Sequence, residues 1–368
     1  MLAAALAVSL LAGAAGGSWS APNMLPPAPR ALYRVAWQRP FVPLGILEYQ
    51  PVEAGGVAVD PASGLVVFGT RDGWLHAVRP DRSLAWEFRA QAGFAGAPAL
   101  DGGVVYAGAR DGRLYALALA TGKELWRYDA NEELGTRPVI RQGVVYLASL
   151  QDTVIAVDAA TGAWKWHHRR EGKSGFSIRG AADVVAGDGA VYGAYSDGTV
   201  AGLEASTGRV LWERNIAPSG DQVDVDGLVL DGGRLYAAAY SGAVAALDPK
   251  DGTVIWSVKI PGAHVLTVGS GLVFVVTPTA VVALGTADGG QAWSSPLGDG
   301  GAAGTPVLVD HWLVVPAALG GLRWLEAATG RPLRVFDPGN GVSGLPAVAG
   351  RRVYVLSNGG ALFALDLS

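Results

Sequence analysis

Short runs of alternating apolar and polar residues, broken by Gly, Asp and Thr, recur along this chain at a regular interval. The clearest unit is seventeen residues long, Gly103–Leu119 (GVVYAGARDGRLYALAL). It returns without a gap at Gly143–Ala159, Gly189–Ala205 and Gly233–Pro249, and in weaker form at Gly64–Pro80, Gly271–Ala287, His311–Ala327 and Arg351–Leu367. The steps between the eight starts are 39, 40, 46, 44, 38, 40 and 40 residues. A fixed period near forty marks an array in which each unit covers its neighbour's apolar face.

Each unit predicts two strands joined by a tight turn. Its fourth position is Val67, Tyr106, Tyr146, Tyr192, Tyr236, Phe274, Val314 or Tyr354, always β-branched or aromatic. Its centre carries Asp72-Gly73, Asp111-Gly112, Asp197-Gly198, Ser241-Gly242 or Gly359-Gly360, pairs that tolerate the positive φ of a two-residue hairpin turn. A further turn and a Trp-bearing strand follow, as in Ala120-Thr-Gly-Lys-Glu-Leu-Trp126 and Ser206-Thr-Gly-Arg-Val-Leu-Trp212. A short apolar run such as Arg137-Pro-Val-Ile140 precedes each unit. Four short strands in about forty residues make one propeller blade, so the expected fold is all-β, an eight-bladed propeller of four-stranded antiparallel blades.

Eight units need eight outer strands, and seven follow in order, at Trp86, Trp126, Trp166, Trp212, Trp256, Trp293 and Leu333–Phe336. The eighth unit reaches Leu367 with one residue left. Tyr33–Trp37 supplies the missing strand from the other end of the chain, and closing the ring this way removes exposed edges. The repeated Trp suits packing between blades, where a large ring buries much area.

Composition narrows the function. The net charge of −4 offers no basic field for nucleic acid. Met1–Ala15 is an apolar stretch of export-signal length, although no Lys or Arg precedes Arg30. A buried N-terminal helix is the other reading of that stretch. We expect 1–20 to be signal-like, 21–32 a Pro-rich tether and 33–368 the propeller. The chain has no Cys, and Leu11-Ala12-Gly13-Ala14 resembles a lipobox with Ala where the lipidated Cys would stand. Acylation at that site is excluded.

The period stretches only at the steps of 46 and 44, between the outer strand of one blade and the inner strand of the next. The two long connections are His167–Gly180 and Asn215–Gly227. In a propeller all such connections emerge on one face, where insertions concentrate binding. An exposed Phe or Ile, an Arg and two carboxylates suit a protein-interface hot spot better than a catalytic centre. Arg179 reads as a partner-facing cation or as a cap on a loop carbonyl. Asp224 and Asp226 read as docking carboxylates, as turn-orienting acids or as partners of Arg179. A calcium loop is disfavoured, because Gln222 stands where an acid is needed and no Glu follows at Gly233. His167-His168-Arg169-Arg170 reads as a solvated strand end. His76, His264 and His311 fall in distant blades and predict no metal cluster.

The unit with its A-x-D-x-x-T-G-x-x-x-W continuation resembles the quinoprotein-type (PQQ-like) propeller repeat. The order Phe176-Ser-Ile-Arg-Gly180, Asp224-Val-Asp226, Tyr240–Asp248 resembles the BamB family of outer-membrane protein assembly factors, over essentially the whole chain after residue 30. That resemblance implies a non-catalytic scaffold without cofactor, held at the inner face of the outer membrane from the periplasmic side. It implies contact with the POTRA region of a BamA-like partner through Phe176, Ile178, Arg179, Asp224 and Asp226. Unfolded outer-membrane proteins are further candidate partners, and membrane association would run through the partner. Phe176 and Ile178 replace leucines of the family pattern and keep apolar bulk. A periplasmic ligand-binding or sensor propeller is the alternative. A PQQ-dependent dehydrogenase fits less well, since the resembling enzymes are longer and carry a vicinal cysteine pair and a calcium-binding acidic set.

Overall fold

Strand and turn chemistry alone builds eight four-stranded antiparallel sheets, seven formed from one repeat each and the eighth from the last repeat and an N-terminal strand. The computed structural model describes residues 32–42, 52–170, 182–217, 224–298 and 304–368. Blade 2 shows the plan, with inner strand Ala99–Asp101, then Val104–Gly108, Arg113–Ala118 and outer strand Glu124–Asp129. The middle two strands are almost wholly buried, while the outer strand alternates half-buried and exposed positions. The eight blades form an eight-bladed β-propeller, as the repeat predicts.

Closure follows the expected route. Tyr33–Pro40 pairs antiparallel with Ala361–Leu367, from Tyr33 opposite Leu367 to Pro40 opposite Ala361, and becomes the fourth strand of blade 8. Arg34 and Arg352 both pair with Asp366 across this junction, at 3.1 and 2.5 Å.

The turns differ from expectation in an instructive way. Two-residue turns with both φ positive lie at the start of units 2, 3, 5 and 6, as at Gly102-Gly103 (+54°, +79°) and Gln142-Gly143 (+49°, +75°). The Asp-Gly centres instead occupy longer loops with one left-handed residue. Ala109 N–H donates to Arg113 O at 2.9 Å, and only Gly112 takes positive φ (+82°) inside that loop. Asp152 holds the same place in blade 3 at +59°, as a short polar side chain can. One left-handed residue is all this turn needs, so Asp-Gly alone does not distinguish the two geometries.

Neighbouring blades are fastened by a repeated clasp. In blades 1 to 6 the indole N–H of one outer-strand Trp donates to a backbone carbonyl of the next blade. Trp86 reaches Leu119 O (2.7 Å), Trp126 Ala159 O (3.1 Å), Trp166 Ala205 O (2.9 Å), Trp212 Pro249 O (3.0 Å), Trp256 Thr286 O (3.0 Å) and Trp293 Ala327 O (3.1 Å). The glycine of the Thr-Gly turn lies flat on that indole. At Gly208 a Cβ would come within 2.5 Å of Trp166 Cε3, and its φ of +73° disfavours other residues as well. The aromatic fourth position packs on the Trp of its own blade, with Tyr146 and Trp166 ring centres 5.8 Å apart.

Candidate functional site

Both long connections leave and re-enter the ring around blade 4, and their roots converge on Tyr195. One leaves after Arg169, the end of the outer strand of blade 3. The guanidinium of Arg170 lies 5.9 Å from the Tyr195 ring centre and bonds Asp197 Oδ2 and Glu213 Oε1, each at 2.6 Å. The other re-enters at Asp224, and Val225 N–H donates to Tyr195 O at 3.3 Å. His168 packs edge-on against the same ring at 6.0 Å. Tyr195 is 2% exposed, and burial pushes its phenol well above the ordinary range. Desolvation also works against the Asp197 carboxylate, but the Arg170 and Thr199 hydrogen bonds outweigh it and keep that group below its usual range. The expectation of a solvated His-His-Arg-Arg end holds for the exposed His167 and Arg169 and is corrected for His168 and Arg170. Desolvation lowers the His168 pKa, and Arg170 spends its charge on two carboxylates.

Phe176, Ile178 and Arg179 lie outside the described residues. Asp224 is half-buried, and its carbonyl accepts the N–H of Tyr240 at 3.0 Å. Asp226, expected in a loop, sits on a strand. The inner strand of blade 5 is Val225–Asp231, and its pairing with Arg234–Ala239 shifts between Val225 and Gly227, so Asp226 is the bulged residue. A bulge re-aims its side chain. The Asp226 carboxylate turns to blade 6 and meets His264 Nδ1 at 3.0 Å, with the Asp226 side chain 3% exposed and that of His264 22%. The other carboxylate oxygen, Oδ1, is buried and makes no hydrogen bond within the protein.

Both residues line the central channel, a cavity of about 1050 Å³ bounded by the inner strands. Its wall is uneven. Blades 3 to 6 contribute Arg137, Asp183, Asp226 and His264 and blade 2 contributes Asp101, whereas blades 7, 8 and 1 line it with uncharged residues. Arg137 N–H donates to Asp183 Oδ1 at 2.8 Å. Asp183 is exposed to solvent inside the channel. The surrounding protein still withholds enough water to raise its carboxyl above the usual range, against the pull of Arg137. Among the described residues no group of three or more acidic or His side chains could hold a metal ion.

Sequence reasoning missed Tyr195 and did not see the roles of Arg170, read as part of a solvated strand end, and His264, weighed only as a metal ligand. Tyr195 follows a strand like any other apolar position, and nothing local in the sequence sets His264 beside Asp226, 38 residues earlier.

This architecture and repeat define an eight-bladed propeller of the quinoprotein type. The family model described as outer membrane protein assembly factor BamB matches residues 71–246, 223–294 and 279–368, and the chain belongs to that family. Over 202 residues the chain is 41% identical to the outer membrane protein assembly factor BamB of Xanthomonas campestris pv. campestris, covering 53% of this chain. The match spans about half (48%) of that relative's length. The crystal structure of BamB from Moraxella catarrhalis has a TM-score of 0.78 at 23% identity, covering 91% of this chain and 100% of that one. Quinohemoprotein alcohol dehydrogenase from Comamonas testosteroni has a TM-score of 0.72 at 16% identity, covering 91% and 76%. At such identities these structures speak for the fold alone, which an assembly factor and an oxidoreductase share.

Proposed function

We propose that this chain is a non-catalytic scaffold of the outer-membrane β-barrel assembly machinery. In this reading it acts in the periplasm, at the inner face of the outer membrane, with residues 1–20 directing export, 21–32 serving as a tether and 33–368 forming the ring. It docks on the POTRA region of a BamA-like partner through the connections between blades 3 and 4 and between blades 4 and 5. Phe176 and Ile178 supply apolar anchors, Arg179 a cation and Asp224 a carboxylate.

The observation that carries this reading is the convergence of both long connections on Tyr195. Two segments rooted on one buried residue can present one continuous surface, and continuity is what an interface hot spot needs. Family membership supports the partner class. The test is capture of this chain by immobilised BamA POTRA domains, comparing wild type with Arg179→Ala and Asp224→Ala. Each substitution should weaken capture by about 2–4 kcal/mol while leaving the melting temperature in place. Unchanged capture by both variants, or no capture of wild type, rejects the reading.

A further inference from the structure

The two acids of the Asp224-Val-Asp226 segment occupy opposite environments. Asp224 is half-buried at the root of the connection, whereas Asp226 keeps only 3% of its side chain exposed and is held by His264 of the next blade. A carboxylate so placed cannot face a docking protein without leaving its partner. Instead, the segment is tied on three sides. Val225 N–H binds Tyr195 O in blade 4, Asp224 O accepts from Tyr240 N–H in blade 5, and Asp226 Oδ2 bonds His264 Nδ1 in blade 6. Space reinforces the third tie. At Gly227 a Cβ would lie 3.2 Å from His264 O and 3.3 Å from Leu266 N, so the bulge presses directly on the strand that follows His264.

We propose that His264 is a positioning residue of the docking site, acting through Asp226 to fix the bulge that presents Asp224. The inference rests on the docking reading above and divides the roles within the acidic pair: Asp224 contacts the partner, and Asp226 braces the segment against blade 6. Losing either member of the brace frees the bulge, and a freed bulge presents Asp224 in many orientations instead of one.

The experiment compares full-length wild type with His264→Ala, His264→Asn, Asp226→Ala and the His264→Ala/Asp226→Ala double variant. It reads capture by BamA POTRA domains, and hydrogen exchange at the Val225 and Tyr240 amides, below the melting temperature of every protein. His264→Ala and Asp226→Ala should each weaken capture roughly tenfold, and the double variant no further, since both remove one interaction. His264→Asn should restore most of the capture, because its amide nitrogen replaces Nδ1 as donor to Asp226. Exchange at Val225 and Tyr240 should quicken in His264→Ala and return to the wild-type rate in His264→Asn. Additive losses, no rescue by Asn, or full capture by His264→Ala overturns the proposal. If wild type is not captured at all, the docking reading fails, and the exchange rates alone decide whether His264 positions the segment.

Discussion

Six blade interfaces, from blades 1 and 2 to blades 6 and 7, carry the indole clasp, and the two that flank blade 8 do not. Between blades 7 and 8 the outer strand offers Phe336, which has no N–H. Blade 8 has no turn after Leu367 to receive one, because its fourth strand comes from Tyr33–Pro40. Aromatic packing takes over. Tyr33 stacks on Trp324 (5.5 Å, 23°) and meets Phe336 edge-on (5.8 Å, 86°), while its hydroxyl donates to Val335 O at 3.0 Å.

Between blades 8 and 1 the donor exists but its acceptor is displaced. Trp37 is 8% exposed, like the clasped Trp212 and Trp256, yet its indole N–H is buried without a partner. Blade 1 turns in a tighter loop, with Arg79 N–H bonded to Ser83 O, where blade 2 bonds Ala118 N–H to Lys123 O. One residue fewer leaves no Thr-Gly platform, and Arg82 takes the positive φ (+76°). Polar contacts on the opposite face compensate. Arg71 donates to both oxygens of the fully buried Glu53, and Glu53 N–H donates to Asn358 Oδ1 of blade 8. Equal burial is thus reached by different bonding. The clasp depends on turn length rather than on Trp itself.

Four substitutions sharpen this contrast. Gly208→Ala should have the largest effect, about 3–4 kcal/mol, since the new methyl meets the Trp166 ring and the backbone is left-handed. A chemical-denaturation midpoint close to wild type would show that the platform is dispensable.

Glu53→Gln comes next and concerns the unclasped side. Burial raises the Glu53 carboxyl to about 7, against the backbone and side-chain bonds from Arg71. The folded protein therefore holds this proton more tightly than the unfolded chain does. The associated stability is present in acid and is lost as pH rises through about 7. Wild type should lose about 2–3 kcal/mol relative to Glu53→Gln between roughly pH 4.5 and 7.5. Parallel stability–pH curves for the two proteins would refute this.

The smallest effect separates two indoles. Trp166→Phe should cost about 1–2 kcal/mol by removing a bonded N–H. Trp37→Phe should be neutral or slightly stabilising, because it removes an unsatisfied one. Equal losses in thermal melts would mean that the clasp bond contributes nothing.

Much of the ring was legible in the amino-acid order. The repeat gave the blade count, and the spare strand at Tyr33–Trp37 gave the closure, because both follow from alternation and period. The clasp was half legible: the recurring Trp and Thr-Gly were plain, but their meeting across blades required three dimensions. The site was less so. Asp226 was read as a docking carboxylate in a loop, yet a one-residue bulge aims it at His264, and such a bulge depends on how two strands pair. Tyr195 earned no notice, and His264 was weighed only as a metal ligand, because their roles come from residues in other blades.

Arg34 and Asp366 touch although 332 positions separate them. A chain emerging amino end first must therefore keep its opening strand unpaired until its final one is available. Until then blade 8 presents an unpaired edge, so the nearly finished molecule is the species most exposed to mispairing and most in need of prompt completion.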